Sequence, residues 1–388
     1  MTSVGTIAPG DARALAQALV RIDSRNPALA PDGPGETACV AMLREVLSAW
    51  GFGVDVFESS SGRPNLVARI GAASEGAHTL MFSGHLDVVG VDGMSHPPFA
   101  GEVRDGRLYG RGACDMKGGI AAMCAAAWHA SRDGLEGELL IAATADEEYE
   151  SAGTRALLER GVRCDAAIVG EPTCLEIMPA HRGFAWIEVV VTGRAAHGSR
   201  WEIGVDAIRH AGLLLAELDR VDAEELPRRT HPLLGRASLH ASTIEGGIGM
   251  STYPDRCVVR LERRTLPGER DDAVLAEVED ACARVRERRP TFDATLRLLM
   301  SQGASDVATD APIVRALEGA LAERGEPVRV SGMSAWTDAA LLNAAGIPAV
   351  CFGPGDISLA HAAAEYIPLG EIDRATAILS TLARQWCR

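Results

Sequence analysis

Apolar positions recur along the chain at two periods. Leu15, Leu19 and Ile22 stand at i, i+4 and i+7 and predict an amphipathic helix. Val40, Leu43, Val46, Leu47 and Trp50 predict a second helix. Short apolar runs of strand length follow at Asn65 to Ile70, Thr79 to Phe82, Glu138 to Ala143 and Ala166 to Val169. Between the second and third of these lies an alanine-rich stretch, Ile120 to Ala130, that reads as a buried helix. Strands alternating with helices predict an α/β unit with a mostly parallel sheet.

The pattern changes after Arg182. Phe184 to Val191 reads as a strand, Gly204 to Leu218 as a helix, and Ala237 to Ile244 and Cys257 to Glu262 as two strands. Asp271 to Arg286 then reads as a helix, with Val274, Leu275 and Val278 on one face, and Thr291 to Leu299 alternates like a strand. The order β-α-β-β-α-β is that of a ferredoxin-like α+β unit. The α/β pattern resumes with helices at Ala311 to Ala322 and Ala335 to Ala344 and a strand at Ala349 to Phe352. A discontinuous outer domain, 1–181 and 291–388, is therefore expected around an insertion at 182–290. A chain of 388 residues exceeds one average core, which agrees with two domains.

Composition narrows the function classes. Apolar residues make up 47% and charged residues 23%, the balance of a globular chain. The formal charge of −15 repels nucleic acid and anionic lipid, so neither is an expected partner. No apolar stretch approaches the ~20 residues that a membrane-spanning helix needs. Met1 to Gly10 has no basic start and no apolar run, so no signal peptide is expected. The nine cysteines are scattered without a CxxC pair, which fits free thiols in a reducing cytoplasm better than disulfides or a thiolate metal site.

Candidate chemistry gathers at strand ends, where open α/β sheets bind their ligands. His85 and Asp87, in Ser83-Gly84-His85-Leu86-Asp87, follow the run Thr79 to Phe82. In an extended segment they share a face, so Asp87 is placed to accept a hydrogen bond from the other ring N–H of His85 and fix its tautomer. Asp115 sits where a glycine-rich loop, Leu108 to Gly119, meets the buried helix, either as a helix cap or as a bridge between two cations. Asp146-Glu147-Glu148 ends another strand, and three adjacent acids repel one another unless a cation is near. Neighbouring residues point apart, so one glutamate can hold metal while the other takes a proton from water. Glu171 follows the run Ala166 to Val169, and His361 follows Ala349 to Phe352. Each cluster alone fits a solvated loop, but five together make an N/O donor set suited to zinc, cobalt or manganese.

These segments resemble the M20 metallopeptidase family, the group of acetylornithine deacetylase, succinyl-diaminopimelate desuccinylase, carboxypeptidase G and aminoacylase. The resemblance rests on SGHLDVV at Ser83 to Val89, LYGRGACDMKGG at Leu108 to Gly119, DEE at Asp146 to Glu148 and GEPT at Gly170 to Thr173. It continues through Arg182-Gly183, AAHGS at Ala195 to Ser199 and HAAAEYIPL at His361 to Leu369, and so covers nearly the whole chain. It implies a zinc-hydrolase-type α/β catalytic domain with an inserted ferredoxin-like lid that forms a homodimer. It also implies two divalent metal ions, zinc ahead of cobalt or manganese. By the same resemblance His85 and Glu171 hold one metal, Glu148 and His361 the other, and Asp115 bridges them. Asp87 supports His85, Glu147 is the general base and acid, and His197 reaches a neighbouring site to stabilise the oxyanion.

Some positions depart from the family pattern. Ser251 stands where an asparagine is frequent, and Arg264 matches an arginine that grips the substrate carboxylate, with Arg263 beside it. Gly332 to Asp338 replaces a Gly-Thr-Ser-Asp type motif, which argues against a true desuccinylase. Glu171, rather than aspartate, points to the deacetylase and desuccinylase branch. The expected protein is a cytoplasmic metal-dependent hydrolase that removes the acyl group from a small N-acyl amino acid. An aminopeptidase, dipeptidase or carboxypeptidase is the alternative within the family. A non-catalytic binding relative would have no need of Glu147.

Overall fold

A computed structural model describes residues 7–72 and 76–388. Of the Met1 to Gly10 stretch, residues 1–6 lie outside the described residues. The chain forms two compact units, one of residues 1–179, 307–331 and 337–388, the other of residues 180–306 and 332–336.

The first unit is built on a mixed sheet whose path runs Gly53–Ser60, Arg63–Gly71, Glu138–Thr144, Thr79–His85, Ala166–Val169, Ala349–Cys351, Ile177–His181. The parallel pairs are central, joining Glu138–Thr144, Thr79–His85, Ala166–Val169 and Ala349–Cys351. Antiparallel strands flank them. The central strands are buried almost throughout, as their unbroken apolar runs require. The alanine-rich stretch forms the helix Gly118–Arg132, on which Ile120 to Ala127 are all buried. Its small side chains let it approach the sheet closely. A Cβ on Gly119 would lie 2.0 Å from the Gly170 carbonyl oxygen, so only glycine fits where the helix passes the strand end that leads to Glu171. The helices Ala12–Val20, Thr37–Ala49 and Leu369–Trp386 add to the same core.

The second unit is a four-stranded antiparallel sheet in the order Ser238–Gly246, Arg256–Thr265, Gly183–Thr192, Asp293–Gln302. Helices Ala207–Arg220 and Asp271–Arg288 complete the β-α-β-β-α-β order. Ala185, Ile187, Val189 and Val191 alternate inward and meet Ala211, Leu214, Val278 and Val285 from the helices. The insertion, expected to end at residue 290, instead runs to Asp306. Asp293–Gln302 pairs along its length with Gly183–Thr192, and Ala294, Leu296 and Leu298 pack on the second core. No helix among the described residues is long and apolar enough to cross a membrane.

Candidate metal centre

Four parallel strands of the first unit end on the same edge of the sheet. His85 is the last residue of Thr79–His85 and pairs in register with Thr144, so Glu147 and Glu148 emerge beside it. Glu171 follows Ala166–Val169, and His361 lies beyond Ala349–Cys351. Asp115 lies in the loop before the buried helix, and its peptide bond to Met116 is cis. Asp146 and His361 have φ of +70° and +59°, left-handed values that non-glycine residues adopt at a cost of about 1–3 kcal/mol.

Their side chains converge in two groups that share one residue. Donor atoms of His85, Asp115 and Glu171 lie within 4.8 Å of one another, and so do those of Asp115, Glu148 and His361. His85 Nε2 is 3.1 Å from Asp115 Oδ1, and His361 Nε2 is 3.5 Å from Asp115 Oδ2 and 3.1 Å from Glu148. Glu147 lies by the first group, with Oε2 3.9 Å from His85 Nε2, while Glu148 meets His361. Four carboxylates and two imidazoles thus crowd one place, buried except on the His361 side, and a pair of divalent cations would supply the charge to hold them there. Imidazole and carboxylate donors without a thiolate fit zinc, cobalt or manganese.

The electrostatics express that crowding. Burial pushes the carboxyls of Glu147 and Glu171 well above the usual range, and the neighbouring acids add to the effect. Burial raises Glu148 as well, against the opposing hydrogen bond from His361. Burial also works on Asp115, but its hydrogen bond to His85 and the nearby imidazole charges hold it below the ordinary value. Burial alone would lower His85; Asp115, Asp87 and Glu147 around it raise it well above the imidazole range instead.

Asp87 supports this cluster differently from the expectation. The His85 Nδ1 atom lies 2.9 Å from the Asp87 backbone oxygen and 3.6 Å from its carboxylate, beyond hydrogen-bond reach. The carboxylate instead accepts the backbone N–H groups of Glu147 at 3.1 Å and Glu148 at 3.2 Å. The turn after Thr144 brings those two amides inward, so the carboxylate satisfies main-chain donors that would otherwise be stranded.

Sequence reasoning overlooked several residues here. Asn26, fully buried, donates to Asp87 at 2.8 Å and to Asp146 at 3.0 Å. Arg63 pairs with Glu36 at 2.6 Å and with Asp146 at 3.1 Å. Asn26 stands 61 positions before Asp87, so no local pattern marks it. Arg111 and Glu365 pair at 2.7 Å inside two of the quoted motifs, where an isolated acid and base were the available signal.

The other candidates belong to the second unit. His197 is exposed, its Nδ1 2.8 Å from Ser199 Oγ, and its backbone bridges to Thr252. Gly198 N–H donates to the Ser251 carbonyl at 2.7 Å, so the His197 and Ser251 loops lie together. Arg263 is fully buried and bound to Glu269 and Glu277. Arg264 pairs with Glu262 at 2.6 Å and keeps 31% of its side chain exposed. Of the two arginines, Arg264 has the accessible guanidinium.

A parallel-centred sheet with an N/O donor cluster on its carboxyl edge, in one chain with an antiparallel α+β unit, is the make-up of a metal-dependent hydrolase of amide bonds. The chain belongs to peptidase family M20/M25/M40, whose sequence profile matches residues 81–385. It is 34% identical over 328 residues to acetylornithine deacetylase of Myxococcus xanthus, covering 83% of this chain and 84% of that one. It is 29% identical, over an alignment of 400 residues, to N-formyl-4-amino-5-aminomethyl-2-methylpyrimidine deformylase of Halalkalibacterium halodurans, covering 95% and 94% of the two chains. Its fold matches that of Bacillus subtilis YxeP, a dinuclear metal-binding peptidase from the M20 family, with a TM-score of 0.73 at 17% identity over 96% of each chain.

Proposed function

We propose that this protein deacylates small N-acyl amino acids, in the manner of an acetylornithine deacetylase. The observation that carries the reading is the pair of donor groups sharing Asp115, with the Glu147 carboxylate 3.9 Å from His85 and Glu148 against His361. His85, Asp115 and Glu171 would hold one divalent cation, and Asp115, Glu148 and His361 the other. Bound there, the cations supply Lewis-acid activation of the scissile carbonyl and of the attacking water. Glu147 takes the water proton on its carboxylate and hands it to the departing amine. Its burial and acidic neighbours, which raise its proton affinity, suit that exchange. Asp87 fixes the amides of Glu147 and Glu148 and so aims both side chains. His197 donates to the developing oxyanion, and Arg264, near Ser251 in role, binds the substrate carboxylate.

The second unit serves in this reading as lid and dimerisation domain. Its strand Ser238–Gly246 is a sheet edge exposed over most of its length. Ile244 within it is exposed, as are Ile248 and Met250 just after it and Trp201 and Ile203 elsewhere in the unit, with Ile248 85% and Trp201 77% exposed. An unpaired edge with apolar neighbours suits a symmetric partner. All nine cysteines are free, seven of them buried, which supports a cytoplasmic location.

The test is a panel of acetyl, succinyl and formyl amino acids and dipeptides, read by amine release with and without EDTA. Acetylated amino acids turning over fastest, with loss of turnover in EDTA, is the expected result. Preference for dipeptides would replace deacylation by peptidase action, and preference for formyl amides would align the protein with its deformylase relative.

A further inference from the structure

Two buried charges join the loops of the metal centre without being donors in either group. Glu365 is fully buried and Arg111 is 3% exposed. Glu365 Oε1 accepts the backbone N–H groups of Cys114 at 3.0 Å and Asp115 at 3.2 Å. Its Oε2 accepts Arg111 Nη1 at 2.7 Å, and Arg111 Nε donates to the Gly90 carbonyl at 3.0 Å. The main chain repeats the connection. Gly110 N–H donates to the Glu365 carbonyl at 3.3 Å, and Arg107–Tyr109 pairs antiparallel with Tyr366–Pro368.

We propose that Glu365, held by Arg111, is a positioning residue that sets Asp115 and His361 for the two cations. The inference rests on the two-cation reading above. Asp115 serves both donor groups, so the place of its backbone decides both at once. Its amide has no helical partner, because the loop departs from helical geometry at Asp115, where φ is −118° and ψ is 96°. An acceptor must come from elsewhere in a dry interior. A carboxylate suits the task because one oxygen takes both amides while the other takes the guanidinium. A glutamine in the same place has one acceptor oxygen and turns an N–H group toward a donor. Glu365 also stands four positions after His361, so the residue that fixes the Asp115 loop anchors the His361 loop too.

The experiment measures metal binding on metal-stripped full-length protein by chelator competition with Zn²⁺ and Co²⁺, with the visible spectrum of the Co²⁺ form as a second readout. Loss of a residue that orients metal ligands weakens metal binding by about 10- to 100-fold. E365Q is expected to show that loss, with altered cobalt bands and an unchanged far-ultraviolet circular dichroism spectrum. Two double variants leave no charge unpaired. R111M/E365Q keeps an acceptor for the two amides and R111M/E365L does not, so the leucine form should bind at least about tenfold more weakly. Wild-type affinity and cobalt spectrum in both E365Q and R111M/E365L would overturn the inference. So would failure of all three variants to fold, which would make Glu365 a folding residue. Absence of cation binding by the wild type would instead remove the two-cation reading, and this inference with it.

Discussion

Asn26 offers the sharpest test of how the centre is held. Its amide nitrogen donates to Asp87 at 2.8 Å and to Asp146 at 3.0 Å, and its oxygen accepts the Ala28 N–H at 3.0 Å. Asn26 and Asp87 are fully buried and Asp146 is 4% exposed. N26A deletes two hydrogen bonds to carboxylates, each worth about 1.5–3 kcal/mol. Asp87 keeps its two backbone donors and Asp146 keeps Arg63, so the lower end applies, about 3 kcal/mol in all. For a unit of this size that is a fall in Tm of roughly 6–12 °C, measured by calorimetry in EDTA. Activity should fall as well, because Asp87 aims Glu147 and Glu148. N26D separates charge from shape. A third carboxylate between Asp87 and Asp146 must hold a proton to remain there, so its folded pKa rises above the unfolded value. The stability it retains is present at low pH and lost as pH rises, and the gap from wild type should widen from pH 6 to pH 8. An N26A Tm within about 2 °C of wild type, or an N26D gap that narrows with rising pH, would refute the account.

Four further outcomes can be tested. E147Q should lower kcat by about 10²–10⁴-fold while metal content stays at the wild-type level, and joint loss of metal would make Glu147 a ligand. In the cation-free protein two groups should lose their share of stability as pH rises between about 4 and 9, against His181, which burial lowers to about 4 and whose share is gained as pH rises to about 6.5. Burial pushes Asp338 up to about 6, so its contribution is complete below its unfolded value and lost as pH rises through 6; His361, raised to about 9 by Glu148 and Asp115 against its burial, loses its share through 9. Metal affinity should run the other way and rise with pH, because cations displace those protons; calorimetric titration in buffers of different ionisation enthalpy counts them. Finally, mixing E147A with H197A should restore about a quarter of wild-type activity if His197 serves a partner's site, and no recovery despite subunit exchange shown by native mass spectrometry would confine His197 to its own chain.

Much of this was legible in the chain because buried parallel strands advertise themselves. Thr79–His85, Glu138–Thr144 and Ala166–Val169 carry apolar runs whose ends also carry the candidate ligands, so strand and site are read together. Gly53–Ser60 escaped notice because it is an outer strand with Phe57 as its single buried residue, which leaves no apolar period to detect. The helix Leu369–Trp386 carries Ile372, Ala375, Ile378, Leu379 and Leu382 at helical spacing and went unread beside the motif that precedes it. The insertion boundary failed for a different reason. The run after Thr291 completes the β-α-β-β-α-β order, so a boundary at 290 cuts off that unit's own last strand, whose register with Gly183–Thr192 carries the unit beyond it. Supporting polar residues are the hardest to see. Asn26, Arg63 and Glu36 act through partners far along the chain, and their side chains carry no periodic signal.

One device occurs twice at the centre. Asp87 accepts the amides of Glu147 and Glu148, and Glu365 accepts those of Cys114 and Asp115. In both places a buried carboxylate grips the main chain of residues in or next to the two donor groups rather than their side chains. The distinction matters because a donor placed on the Asp115 or Glu148 carboxylate would compete with a cation for the same lone pairs. Gripping the N–H groups fixes the Cα positions and adds no further donor to those oxygens, which face the imidazoles of His85 and His361. Each gripping carboxylate is in turn tied by a group that no cation would recruit, Asn26 for Asp87 and the Arg111 guanidinium for Glu365. In the two-cation reading the supports would carry orientation and the donor groups charge. Substitution of a support should weaken cation binding while every donor atom remains, whereas substitution of Asp115 should remove the atom that both groups share.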